Sequence, residues 1–300
     1  VLFAITVRIG EPGSLRYPDI TMTTVVPPEV LSETERSLQT YGRVVLCQIV
    51  RAEGSTPGKV GWKLLARPDA SFVGNLGGGA FEALVKADAL EKIRSGAGVD
   101  SSEIKRYYLT EEATRGEATG MVCGGMAEVF LEVMVAPPVL AVCGGGLVGQ
   151  ALARAATLAG FEVLVADDRP EFRNPELYPS GTRLAEVNRD YEQDFLSSLR
   201  HRDLYVAVVS RCWETDTAAM AAVLRQCPES LRYLGLMGSR RKIARVRDEL
   251  AARNLDLSAL SVELHAPIGL PLGGDSPGEI AISILAEVIG KRYEKSAVKS

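Results

Sequence analysis

The residues Gly144-Gly145-Gly146-Leu147-Val148-Gly149 fit the pattern Gly-x-Gly-x-x-Gly. An apolar run at 139–143 precedes them, a helical pattern follows through 151–159, and Asp167-Asp168 end the next apolar run at 161–166. In that setting a turn without side chains lets a phosphate approach backbone N–H groups at a helix start, where the helix dipole favours negative charge. Asp167 or Asp168 is then placed to bind a ribose or similar diol. The competing reading is that the glycines serve only the close packing of strand on helix.

A second group, Ser239-Arg240-Arg241-Lys242, follows Gly238 and opens another helical pattern. Ser239 suits an N-cap. Three cations in a first helical turn oppose the dipole by about 0.3–1 kcal/mol each, so either an anionic ligand sits there or the side chains are simply solvated. Upstream, residues 53–59 and 74–79 form two glycine-bearing loops, the second carrying Gly77, Gly78 and Gly79 into a helix with Glu82 in its first turn. Each loop suits an anion or a flat ring. A third loop, 119–125, sets Cys123 among glycines, as either a reactive thiol or an inert packing group. Ser276-Pro277-Gly278-Glu279 is a capping box that needs no ligand, although the glycine-rich 269–274 stretch before it suits a loop closing over a site. With only His201 and His265 present, a histidine-based zinc site is not supported and little remains for a Ser-His-Asp triad.

The elements that must position these residues divide at Ala136-Pro137-Pro138, where two prolines end an alternating strand over 127–135. Before the joint the pattern predicts an arm over 1–27, a helix over 29–40 stopped by Gly42, strands at 43–50, 62–66 and 71–73, and a helix from 80 to about 94. After it, short buried strands alternate with helices: strands at 139–143, 161–166, 205–209, 233–237 and 263–266, helices at 151–159, 216–226, 239–254 and 277–292. That alternation is the signature of parallel βαβ units. The expected fold is α/β, a smaller N-terminal α+β domain over 1–136 and a Rossmann-like parallel-sheet domain over 137–300.

Apolar residues at 46% and charged residues at 24% describe a chain that buries a real core, and a net charge of −4 gives no overall basic field for nucleic acid or anionic lipid. Five scattered cysteines without a Cys-x-x-Cys pair, the lack of a signal-peptide pattern and the charges that interrupt every apolar stretch lead to an expected cytoplasmic location.

Taken in order, Gly54-Ser55-Thr56-Pro57, the Gly77-Gly78-Gly79 to Glu82 loop, Cys123-Gly124-Gly125, the 144–149 turn, Gly238 to Lys242, and Pro267-Ile268-Gly269 to Glu279-Ile280-Ala281 resemble the XdhC/CoxI family over residues 38–292. The resemblance implies a dimeric accessory protein that binds molybdenum cofactor (molybdopterin), supports its sulfuration with a cysteine desulfurase, and inserts it into a xanthine or carbon monoxide dehydrogenase-type molybdoenzyme, as a chaperone without turnover of its own. It would assign Gly144, Gly146, Gly149 and Ser239 to Lys242 to phosphate, Gly77, Gly78, Gly79 and Glu82 to the pterin, and Cys123 to a molybdenum or sulfur contact. Two departures stand out. Gly58 occupies the place where many members have Arg, leaving an anion there to Lys59 or Lys63, and the arm over 1–26 has no family counterpart. The alternative is an NAD(P)-dependent oxidoreductase, on the strength of the same 144–149 turn and Asp167-Asp168.

Overall fold

The computed structural model describes residues 28–96, 98–109, 117–118, 124–226, 229–255, 257 and 262–294. It divides into two compact units, one ending at Ala136 and one beginning at Pro137.

In the first unit, helix α1 (Pro28–Tyr41) leads into strand β1 (Arg43–Glu53), followed by β2 (Lys63–Ala66), β3 (Phe72–Gly74), α2 (Gly79–Arg94), β4 (Glu103–Leu109), β5 (Glu117–Ala118) and β6 (Gly125–Val135). Gly42, at φ 70°, ends α1 by donating its N–H to Leu38 O, the left-handed stop that glycine adopts without strain. The strands form one sheet in the order β3-β2-β1-β6-β4-β5, antiparallel except for the β4–β5 pair. Buried and half-buried residues alternate along β6, as expected for a strand with one well-covered face. The larger core, with Cys47, Ile49, Leu64, Phe81, Val85, Tyr107 and Leu131, joins the sheet to α2, and a smaller one of Val30, Val44, Leu46 and Leu65 joins it to α1.

The second unit runs β7 (Val139–Cys143), α3 (Leu147–Leu158), β8 (Glu162–Asp167), β9 (Arg183–Glu186), β10 (Leu204–Val208), α4 (Trp213–Gln226), β11 (Leu231–Leu236), α5 (Arg240–Ala252), β12 (Leu264–His265) and α6 (Pro277–Tyr293). All its strand pairs are parallel, in the order β12-β11-β10-β7-β8-β9. Every residue of β7 and β10 is buried, because helices cover both faces. Residues of α3 and α6 pack in one core, and those of α4 and α5 in the other. The chain leaves β7 toward β8 and β9, then returns to the other side of β7 to build β10, β11 and β12. This reversal between β7 and β10 is the topological switch point at which open α/β sheets place ligands, beyond the C-terminal strand ends.

Candidate functional site

The glycine turn lies at that switch point. Gly144, at φ 121°, leaves β7 and donates its N–H to Ala166 O of β8. A Cβ on it would stand 2.8 Å from the backbone of Val209, just beyond β10. Gly145 donates to Asp167 Oδ2 at 2.7 Å and has Tyr178 Oη and Phe172 against it, while a Cβ on Gly149 would stand 1.9 Å from Gly144 O. Three of the four glycines are therefore required by packing alone. Gly146 differs: nothing lies within 4 Å of a Cβ built there, and no side chain caps α3, which has no acid in its first turn. The first N–H groups of α3 therefore have no side-chain acceptor at the N-cap, the arrangement at which helices bind anions.

The two acids at the end of β8 are both engaged. Asp167, 2% exposed, accepts from the Gly145 N–H, from the Arg169 N–H, and from Arg169 Nε and Nη2, each at 2.7–2.9 Å. Four donors fill the capacity of a carboxylate. Arg169 also stacks over the Phe172 ring at 3.9 Å. Asp168 accepts both terminal nitrogens of Arg211, at 2.8 Å each. That forked pair holds the Asp168 carboxyl below its ordinary value against the opposing effect of burial.

The basic group at the start of α5 is not one cluster. Ser239 caps the helix through the Lys242 N–H, and Arg240 and Arg241 are exposed, but Lys242 turns inward. Its ammonium contacts Asp216 Oδ2 and donates to Met237 O at 3.1 Å. Asp216, in the first turn of α4, is fully buried and also accepts from Ser210 Oγ at 2.6 Å. Burial raises its pKa, even though Lys242 and Ser210 pull it down. Part of the anion that this helix start calls for comes from the protein itself.

In the first unit, three glycine loops meet. A Cβ on Gly77 would strike Pro57 and Gly58, one on Gly58 would strike Leu76 O, and one on Gly125 would strike Ser55 O, with Ser55 bridged to Gly124. Gly77, Gly78 and Gly79 all have positive φ, and a Cβ on Gly78 would meet nothing within 4 Å. Glu82 ties this loop down, accepting from the Leu76 N–H at 2.9 Å and the Gly78 N–H at 3.1 Å while paired with Lys86 at 2.7 Å. Burial alone would raise its pKa, but Lys86 and the two N–H groups bring it below the ordinary value. Of the two lysines near the 53–59 loop, Lys59 is exposed, whereas Lys63 is buried and donates to Gly61 O at 3.2 Å. Burial lowers the Lys63 pKa.

Cys123 lies outside the described residues. Of the cysteines described, Cys47 and Cys143 are wholly buried, which pushes their thiols up to about 12, and Cys212 is half-buried at 2.9 Å from Thr215 Oγ1. His265 contacts Glu287 Oε1 at 3.0 Å and stacks on Tyr233, so its surroundings are those of a structural group. Among the described residues no group of three or more His, Cys, Asp or Glu side chains is arranged to hold a metal ion, and no helix is long and apolar enough to cross a membrane. Arg169, Ser210, Arg211 and Asp216 are the site residues that sequence patterns did not mark. Their signal was positional, since they follow a buried strand in a βαβ series.

Residues 140–288 match the model of the XdhC Rossmann domain, and residues 37–107 match that of the XdhC and CoxI family. Among curated proteins, the chain is 32% identical over 249 residues to the uncharacterised Escherichia coli K12 protein YqeB, covering 81% of this chain and 42% of that protein. It is 28% identical over 171 residues to a probable xanthine dehydrogenase subunit of Bacillus subtilis 168, covering 57% of this chain and 48% of that one. The chain thus spans less than half the length of these relatives. A solved structure of a xanthine dehydrogenase from Bacillus halodurans is similar at 20% identity and a TM-score of 0.43, over 89% of this chain and 97% of that one.

Proposed function

Because the chain belongs to the XdhC/CoxI family, we propose that it is an accessory protein that holds molybdenum cofactor by its phosphate and delivers it to a molybdoenzyme of the xanthine dehydrogenase type. The observation that carries the reading is the opening at Gly146. It is the one glycine of the turn that packing does not require, and it stands at the uncapped start of a twelve-residue helix. A phosphate there would accept N–H groups of the first turn of α3 and gain from the helix dipole. Molybdopterin ends in such a phosphate. The name of the Bacillus subtilis relative is consistent with a client of the xanthine dehydrogenase type.

The dinucleotide reading has the same turn in its favour, but of the two acids at the end of β8 Asp168 is paired with Arg211 and Asp167 has no oxygen left for a diol. The acid that a ribose would use, Asp167, already accepts four internal donors. Pterin contacts by the Gly78 loop and a part for Cys123 in sulfuration, with a cysteine desulfurase as partner, rest on the family alone.

The test is reconstitution. A cofactor-free enzyme of the xanthine dehydrogenase type is mixed with molybdopterin, molybdate, and sulfide with dithionite as the sulfur source and reductant, with and without this protein. Faster or fuller recovery of hydroxylase activity in its presence is the expected result. Equal recovery with and without it would contradict the delivery role.

A further inference from the structure

The cations around the glycine turn are not equivalent. Arg169 is held by Asp167 and by the Phe172 ring, and Lys242 is held by the buried Asp216. Arg240 and Arg241 follow β11, which is separated from β7 by β10. Arg211 follows β10, which pairs directly with β7, and its side chain is 40% exposed. Its partner, Asp168, follows β8, on the other side of β7. The pair therefore joins the two strand exits that flank the turn, each of which touches it: Val209 packs on Gly144 from one side, and Ala166 and Asp167 accept its N–H groups from the other.

The forked contact matters chemically. A guanidinium that meets both oxygens of a carboxylate presents the same two donors to two oxygens of a phosphate. We propose that Arg211 is the side chain that receives the ligand's phosphate oxygens beside Gly146, and that Asp168 is an internal competitor that the phosphate displaces. This inference rests on the reading of the turn as a phosphate site and adds to it an identified cation and an exchange. Asp168 then opposes binding: the intrinsic affinity is reduced by the fraction of molecules in which Arg211 is already occupied.

Opposite effects from the two partners are the test. Binding of inorganic pyrophosphate to the full chain is measured by calorimetry, and binding of molybdopterin is measured separately by ultrafiltration. Asp168→Asn is expected to tighten pyrophosphate binding about 3- to 10-fold, since it releases an exposed pair. Arg211→Gln is expected to weaken it about 10-fold or more. In the Arg211→Gln background, adding Asp168→Asn should change nothing. Thermal unfolding of each variant checks that the fold is retained.

Weaker binding by Asp168→Asn would overturn the inference, because Asp168 would then be a ligand contact. Unchanged binding by Arg211→Gln would also overturn it. So would an equal gain from Asp168→Asn in both backgrounds, which would report only a lost negative charge. Opposite shifts with pyrophosphate but no retention of molybdopterin would support the exchange and sink the pterin reading. Molybdopterin retained without opposite shifts would do the reverse.

Discussion

Glu82 is fixed as a fastener of the Gly77 to Gly79 loop by two N–H donors and Lys86, and that arrangement has a pH signature. Its pKa is depressed in the folded protein, so the stability it contributes is present above the ordinary glutamate value of about 4.3 and is lost as pH falls through the lower, folded value. Glu82→Gln should cost about 1–2 kcal/mol in urea unfolding at pH 7, and the gap from wild type should close as pH falls through the depressed, folded value. A gap that persisted in acid would show that the loop is not held by the charge. Lys242 makes a second residue-scale prediction. Lys242→Ala leaves Asp216 buried beside an empty place and should destabilise by about 3–5 kcal/mol, while Arg240→Ala or Arg241→Ala should stay within about 0.5 kcal/mol. Denaturant midpoints for the three variants decide it. From the sequence, Arg240, Arg241 and Lys242 looked alike, because what separates them is Asp216, a residue on a different helix brought opposite Lys242 only by the fold.

At the scale of elements, the 144–149 turn separates packing from binding. Gly149→Ala places a methyl group against Gly144 O and should destabilise the protein by about 2 kcal/mol or more, or prevent it from folding. Gly146→Ala adds a methyl group in open space at φ −64°, so its melting temperature should remain within a few degrees while phosphate binding falls. If Gly146→Ala melted as early as Gly149→Ala, the opening would not be one. Most elements were legible, since α1 and the strands β7, β8, β10 and β11 carry strong periodic or continuous apolar patterns. Three strands were not: β4, β9 and the two-residue β5. In β4 only Tyr107 and Leu109 are buried, and its charged first half, Glu103 to Arg106, reads as loop until β6 pairs with it. In β9, an edge strand, no residue is buried, and Arg183 and Glu186 carry no apolar signal.

At the scale of the molecule, the alternation of buried strands and helices after Pro137 was enough to anticipate a parallel sheet, but not the strand order that places a switch point between β7 and β10. What the alternation could not give is which charges that arrangement neutralises internally: Asp167 by Arg169, Asp168 by Arg211, and Asp216 by Lys242. These pairings turn a turn that looked suited to a dinucleotide into one with a phosphate opening, an Asp167 with no oxygen left for a ribose and an Asp168 paired with Arg211. The most direct measurement is therefore a competition on the full chain. Purified protein is incubated with molybdopterin, NADH or NADPH, passed through gel filtration, oxidised and examined for pterin fluorescence and nicotinamide absorbance in the protein fraction. The account predicts pterin with the wild type, loss of it with Gly146→Ala, and no nicotinamide. Retained nicotinamide without pterin would contradict it.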